Sequence, residues 1–163
     1  MGHNPAMTGF APWVATLGGV GLLRPMPGTL GSLAALPPAF LVMWFAGPWA
    51  VLAASFILLL VGFASVRHVA GAMEAGADPD RADIVIDEAC GQFLALTPAM
   101  LSPVLWILSF ALFRLFDIWK PGPIRLIERR FRGAWGVMLD DVAAGAAAAA
   151  CVWAFSLTGW TDV

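Results

Sequence analysis

Apolar residues along this chain fall into long runs, and the polar residues between them gather in short islands. The first two long runs predict membrane helices over residues 30–46 and 49–66, separated by a turn at Gly47 and Pro48. A helix over residues 49–66 would be about 27 Å long at 1.5 Å per residue, which is close to the thickness of the hydrocarbon layer. The first half of the chain therefore predicts a pair of membrane helices.

A third apolar run, residues 93–113, contains Pro98 and Pro103, and it can cross a membrane once or fold back. A single crossing would divide the nine basic residues of the chain six against three between the two sides. A hairpin of two helices, over residues 83–98 and 103–119, would put all nine on one side together with the polar islands. Because Lys and Arg concentrate on one side of membrane proteins, we expect the hairpin.

The last part of the chain predicts a basic connector and one more helix. Residues 121–137 form the connector, with a short amphipathic helix that would sit on an anionic lipid surface. The final helix is expected to open at Asp140 and Asp141, and its Gly and Ala content allows close packing in a bundle. The whole pattern predicts an all-α fold, a polytopic membrane helical bundle with about four to five membrane helices including the Pro-interrupted hairpin. We expect a single domain over residues 1–163.

Composition supports a membrane protein and excludes several other classes. Hydrophobic residues make up 60% of the chain and charged residues 12%, whereas soluble domains carry about 25% charged residues. A net charge of −2 indicates no nucleic-acid partner. Cys90 and Cys151 both lie in small or apolar surroundings, which favours packing over a disulfide or a zinc site. Residues 67–82 are polar and predict a solvated loop. Formation of a homo-oligomer is possible from the sequence and is left open.

The first polar island reads GVGLLRPMPGTLGSLAALP, over residues 19–37. Its prolines break a helix and Gly28 permits a tight turn, so that a helix N-terminus follows with free backbone N–H groups for an anion. Thr29 and Ser32 add hydroxyl groups and Arg24 adds a charge. Phosphate binding is one interpretation of this island, and a plain helix cap by Thr29 is the other.

The other two islands supply acids. DIVIDEACGQ, residues 83–92, carries Asp83, Asp87 and Glu88, and we expect the first two to share a helix face at a spacing of four. Residues 114–141, RLFDIWKPGPIRLIERRFRGAWGVMLDD, hold six of the nine basic residues and four of the eleven acids. A simple basic loop at a membrane surface is one interpretation of this third island.

A phosphate and metal site is the interpretation that we favour for the three islands together. Arg114, Asp117 and Lys120 follow one another at spacings of three, which puts them on one face of a helix. Carboxylates in such number repel one another unless a cation lies among them, and Mg²⁺ takes oxygen ligands from carboxylates, water and phosphate. Arg and Lys can bind phosphate oxygens, and a carboxylate can act as general base in phosphomonoester hydrolysis. The alternatives are a salt-bridge network that ties helix ends together, and a non-enzymatic lipid-binding or ion-handling membrane protein.

Three blocks of the chain resemble the phosphatidylglycerophosphatase A family of bacterial membrane enzymes. They read GLLRPMPGTLGSLAALP at 21–37, IVIDEACGQFLAL at 84–96 and FRLFDIWKPGPIRLIERRFRGAWGVMLDDVAAG at 113–145. The departures from the family pattern are the small residues Ala89 and Cys90, Gly122 in place of Trp, and Ala134 with Trp135 in place of two glycines. These departures affect packing or headgroup contact more than the charged residues.

The resemblance implies a Mg²⁺-dependent phosphatase that acts on phosphatidylglycerophosphate, a phospholipid substrate. It also implies a multi-pass protein of the bacterial inner membrane with its site on the cytoplasmic side. The resemblance further implies that residues of the three islands bind the metal, carry out catalysis and bind the phosphate. We assign catalysis to Asp87, Glu88, Asp117 and Asp141, metal binding to Asp87, Glu88, Asp140 and Asp141, and phosphate binding to Arg114, Lys120, Thr29 and Ser32.

Overall fold

The computed structural model describes residues 9–72 and 81–159, and within these residues the secondary structure is helical. The all-α prediction is therefore confirmed for this part of the chain. The six α-helices are α1 (Phe10–Ala15), α2 (Pro27–Gly71), α3 (Ile86–Leu96), α4 (Pro103–Trp119), α5 (Gly122–Arg130) and α6 (Ala134–Ser156). Short 3₁₀ helices cover Val20–Leu22 and Thr97–Ala99.

Helix α2 consists of two arms that meet at Gly47, where the backbone leaves helical geometry with φ 78° and ψ −175°. Glycine adopts a positive φ at little steric cost, and Pro48 after it has no N–H to continue the ladder. The predicted break between two helices is thus confirmed. The predicted bounds were too narrow, because the first arm begins at Pro27 and the second continues to Gly71. Proline is well tolerated at the first position of a helix, where its missing N–H has no partner to lose.

The predicted solvated loop over residues 67–82 is only partly described. Residues 67–71 belong to the second arm of α2, where Arg67 and His68 are exposed, so the loop begins later than expected. Residues 73–80 lie outside the described residues, as do residues 1–8 and 160–163.

Helix α3 lies at the centre of the bundle, packed against both α2 and α6. Its small residues allow a close approach to α6, because a Cβ on Gly91 would lie 2.6 Å from the Asp141 carbonyl oxygen. A Cβ on Gly145 of α6 would in turn lie 3.0 Å from the Gly91 Cα atom. On the opposite side, Ser55 of α2 donates a hydrogen bond of 2.9 Å to the Cys90 carbonyl oxygen. These contacts bury most of the α3 side chains.

Helices α3 and α4 form the predicted hairpin. The chain reverses over residues 97–102, and Gln92 then faces Ser109 while Gly91 faces Phe113. The residue numbers in contact increase along α4 while they decrease along α3, which identifies an antiparallel pair of helices. The first arm is shorter than expected, since α3 starts at Ile86 rather than at residue 83.

Helix α6 begins at Ala134, nearly two turns before the predicted opening at Asp140 and Asp141. The predicted start was wrong because acids are typical of a helix N-terminus, whereas here they lie inside the helix on a buried face. The predicted connector helix is present as α5, which packs against α6.

Two helices of the described chain, α2 and α6, are long and apolar enough to cross a membrane. Large apolar side chains also cover the outside of the bundle, with Phe45 81% exposed, Trp49 79% exposed and Ile107 72% exposed. An apolar surface this extensive is unusual for a soluble monomer and supports a membrane environment.

Candidate metal and phosphate site

Three acidic side chains from two helices meet in the interior of the bundle. Asp87 and Glu88 lie in the first turn of α3, and Asp141 lies in the second turn of α6. Each offers a carboxylate oxygen, and these three oxygens lie within 4.8 Å of one another. Asp87 is 9% exposed and Asp141 is 3% exposed, so the cluster is largely shielded from solvent. We call Asp87, Glu88 and Asp141 the carboxylate cluster.

Each member of the carboxylate cluster has a buried oxygen with no hydrogen-bond partner among the described residues: Asp87 Oδ1, Glu88 Oε2 and Asp141 Oδ2. Buried polar atoms are normally paired, and a buried carboxylate without a partner is costly. Three buried acids that each carry an unpartnered oxygen, grouped from two helices, therefore form a site that can hold a cation. Carboxylate oxygens are the ligands that Mg²⁺ prefers, so the donor set fits this ion.

The other two predicted acids have cationic partners. Arg114 Nη1 lies 2.6 Å from Asp117 Oδ2 within α4, at the spacing of three seen in the sequence. Lys120 Nζ lies 2.6 Å from Asp140 Oδ2 and so links the end of α4 to α6. The backbone N–H of Asp141 also donates to Asp140 Oδ1 at 3.0 Å.

The structure thus divides the five predicted acids into two groups. Three form the carboxylate cluster, and Asp117 and Asp140 are held in ion pairs. This placement favours a part for Asp140 in holding Lys120 over its predicted part as a metal ligand. Lys120 ends α4 with a left-handed backbone, φ 46°, and so lies just outside the regular helical turns that the spacing of three assumes.

The start of α2 lies against the carboxylate cluster. Arg114 Nη1 donates to Ser32 Oγ at 3.4 Å, and the Ser32 hydroxyl donates to the Gly28 carbonyl oxygen at 3.0 Å. A Cβ on Gly28 would collide with Glu88 Oε1 and lie 3.4 Å from Arg114 Nη2. Gly28 thus lets the Glu88 side chain lie close against α2, and it belongs to the first turn of the helix rather than to the predicted tight turn. Thr29 lies half-buried in the same first turn, and its predicted role on phosphate stays a prediction.

The Nε–H group of Arg114 is a further donor at this position, since it is buried and has no partner within residues 9–72 and 81–159. Its guanidinium group also reaches Ser32 on α2 and Asp117 on α4. A guanidinium group held on two sides with a further donor directed inward can bind an anion. Arg114 and Ser32, which were both predicted to bind phosphate, are therefore in contact in the fold.

Asp83 lies apart from the carboxylate cluster, contrary to the expected shared helix face with Asp87. It precedes α3, and Arg81 Nη2 donates to its Oδ2 at 2.8 Å while Arg81 Nε donates to its Oδ1 at 2.9 Å. This hydrogen-bonded partner holds the pKa of the Asp83 carboxyl below its usual range. The spacing of four does not put the two side chains on one helix face, because Asp83 and Asp87 are not on one helix.

Gln92 is a buried polar residue that was not predicted from the sequence as a site residue. It is 0% exposed, its Nε2 lies 3.5 Å from Ser109 Oγ, and its Oε1 has no partner in the part of the chain that the structure describes. It follows Glu88 by one helical turn and lies on the same side of α3. An amide at a spacing of four from an acid, within an apolar run, was the signal that could have identified it.

A known protein family matches most of this chain. The family model for phosphatidylglycerophosphatase A matches residues 13–156, a range that includes all the site residues above. No solved structure matches the chain.

Individual relatives cover most of the chain. A phosphatidylglycerophosphatase A of Escherichia coli is 35% identical over 138 residues, which cover 82% of this chain and 77% of the relative. The protein of the same name in Haemophilus influenzae is 36% identical over 137 residues, or 83% of this chain and 82% of the relative. A proposed phosphatidylinositol-3-phosphatase of Bacteroides thetaiotaomicron is 38% identical over 127 residues, or 73% and 76%. The chain belongs to the phosphatidylglycerophosphatase A family.

Proposed function

We propose that this chain hydrolyses the terminal phosphomonoester of phosphatidylglycerophosphate, giving phosphatidylglycerol and phosphate, with Mg²⁺ as its cofactor. Family membership and the names of the Escherichia coli and Haemophilus influenzae relatives support the reaction. The observation that carries the metal-assisted mechanism is the carboxylate cluster, in which three acids each offer an oxygen within 4.8 Å of the others and each have a buried oxygen without a partner among the described residues. Glu88 and Arg114 both lie against Gly28 at the start of α2.

In this proposal Asp87, Glu88 and Asp141 hold the metal ion. When bound, Mg²⁺ supplies a compact positive charge beside the phosphoryl group, which is its usual part in phosphoryl transfer. Two of these ligands come from α3 and one from α6, so the packing of the two helices sets the site. The close approach at Gly91 keeps that packing tight.

Arg114 and Ser32 bind the phosphate oxygens in this proposal. The guanidinium group is already oriented by Asp117 at 2.6 Å and by Ser32 at 3.4 Å, so little side-chain freedom is lost when an anion binds. Thr29 adds a hydroxyl from the first turn of α2, three residues before Ser32. Lys120, held by Asp140 at 2.6 Å, places a second cation at the end of α4.

Asp117 is the general base that this arrangement favours, since it lies outside the carboxylate cluster and Arg114 fixes its position. It takes a proton from the attacking water, whose oxygen forms a bond to phosphorus. The ester P–O bond breaks on the opposite side, and the leaving glycerol oxygen takes up a proton. An acid that already binds a metal ion would be a weaker base.

We also propose that both arms of α2, the α3–α4 hairpin and α6 lie in the bacterial inner membrane, as about four to five membrane helices. The starts of α2, α3 and α6 and the end of α4 then lie at one end of the bundle, where Arg114 and Lys120 are found. The excess of basic residues at this end supports a cytoplasmic site. The position of the cluster, in the first turn of α3 and the second turn of α6, disfavours an ion pathway through the membrane centre.

Phosphate release from phosphatidylglycerophosphate in detergent micelles tests this function. We expect release that requires Mg²⁺, stops in EDTA, and falls to background in Asp141→Asn. Asp83→Asn is the control, because this acid is bound to Arg81 outside the cluster and the variant should keep its activity. Full activity without any divalent metal would remove the metal from the mechanism, and no release under any condition would contradict the proposed reaction.

A further inference from the structure

Helix α5 presents a basic surface beside the site. The arginines Arg125, Arg129, Arg130 and Arg132 are all exposed, and we call them the basic face. The helix and its end, residues 122–132, hold these four arginines and a single acid in the sequence. Such a concentration of exposed positive charge is rare in a chain with only nine basic residues and requires an explanation.

Apolar contacts fix the position of α5 relative to α4 and α6. Ile124 is 4% exposed and packs in a cluster with Phe113 of α4 and Ala144 of α6. Leu126, next to the arginines, is 68% exposed. A helix that is anchored on one side and shows both arginines and a leucine on the other is suited to the boundary between lipid headgroups and acyl chains.

The basic face is also close to the proposed phosphate site. Helix α5 begins two residues after Lys120, which holds Asp140 beside Asp141 of the carboxylate cluster. An anionic lipid at α5 is therefore near the end of α4 where the site lies. Positive charge at this boundary raises the local concentration of anionic lipids, most strongly for those with the largest negative charge.

We propose that the basic face of α5 binds anionic phospholipid headgroups and so concentrates the substrate lipid beside the carboxylate cluster. The part concerning the substrate rests on the proposed function, because a phosphomonoester lipid carries more negative charge than its product. The basic face then acts on substrate capture and not on the chemical step. Binding of anionic lipid as such does not depend on the proposed reaction.

The kinetic test combines Arg125→Gln, Arg129→Gln and Arg130→Gln in one full-length variant, assayed in mixed micelles of varied substrate mole fraction. We expect KM to rise at least about fivefold, the effect of one arginine near an anionic surface, with kcat within about twofold of the wild type. Added NaCl should raise KM of the wild type but not of the variant, because salt screens exposed charges. Arg67→Gln, an exposed arginine on α2, is the control and should behave like the wild type.

A change confined to kcat would show that α5 only supports the fold. An unchanged KM with an unchanged salt dependence would show that the charge of α5 does not contribute to substrate capture. Either result overturns the proposal.

A second measurement does not depend on enzymatic activity. A bimane fluorophore is attached at residue 126, through Leu126→Cys in a Cys151→Ser background, since Cys90 is buried and Cys151 is exposed.

The labelled protein is reconstituted in phosphatidylcholine vesicles that contain brominated phosphatidylglycerol or, in parallel, brominated phosphatidylcholine. We expect stronger quenching by the brominated anionic lipid, and loss of that difference in the triple arginine variant. Equal quenching by the two lipids would overturn the proposal. If substrate turnover is absent while the anionic lipid quenches selectively, the proposed reaction fails and the lipid-binding surface stands.

Discussion

Replacing Asp141 by Asn separates a metal site from a salt-bridge network, because the two arrangements predict opposite changes in stability. Asp141 is 3% exposed, and its carboxylate shares the cluster with Asp87 and Glu88 without a cationic partner among the described residues. Asn keeps the shape of the side chain and removes its charge. In the absence of metal, we therefore expect Asp141→Asn to be more stable than the wild type.

The size of this gain follows from the geometry of the cluster. Two unit charges 4.8 Å apart repel each other by about 3 kcal/mol at an effective dielectric constant of about 20, and Asp141 takes part in two such pairs. Local rearrangement and water entry relieve much of the repulsion, so we expect a net gain of about 1–2 kcal/mol. For a chain of this size, that corresponds to a rise of about 2–8 °C in Tm.

Thermal unfolding in detergent, with EDTA or with Mg²⁺, is the assay. Mg²⁺ at about 100 times its Kd should stabilise the wild type by about 2.7 kcal/mol, and should leave Asp141→Asn almost unchanged. Asp140→Asn is the matched control, since it is the neighbouring acid and is paired with Lys120 at 2.6 Å. It should lose about 1–3 kcal/mol in EDTA and still be stabilised by Mg²⁺.

The reasoning would be refuted by an Asp141→Asn protein that melts below the wild type in EDTA and is stabilised by Mg²⁺ to the same extent. That result would mean that Asp141 has a favourable partner and takes no part in binding the ion. Equal melting temperatures of the wild type with and without Mg²⁺, at saturating concentration, would contradict the metal site altogether.

Two further predictions concern packing and topology. Gly91→Ala should destabilise the protein by about 1–3 kcal/mol and lower kcat, because its Cβ would lie 2.6 Å from the Asp141 carbonyl oxygen; unchanged melting and kcat would contradict the tight packing. Gly122→Ala, where a Cβ meets no atom within 4 Å, is its control. Single cysteines at residues 100 and 130 should differ in labelling from the cytoplasmic side, with residue 130 accessible and residue 100 protected. Equal labelling of the two positions would contradict the proposed hairpin topology.

Much of the fold could be predicted from local patterns. Long apolar runs interrupted by Gly47 and by Pro98 and Pro103 were enough to predict two arms and a hairpin, because a break in periodicity or a missing N–H acts on neighbouring residues. The polar islands also identified the site residues by position. Errors occurred where a local rule had two meanings, as for the start of α6, where buried acids resembled a helix cap.

The division of the acids depends on contacts between distant parts of the chain. Asp87 and Asp141 are brought together by the packing of α3 on α6, which small residues permit, and no spacing rule reaches across 54 positions. The same applies to Lys120, which pairs with Asp140 of α6, 20 positions further along the chain. Asp83 lies outside the cluster because it precedes α3, where Arg81 binds it. Residue type and order determined which groups could act, and helix packing decided which of them meet, because charge interactions depend on distance in space and not along the chain.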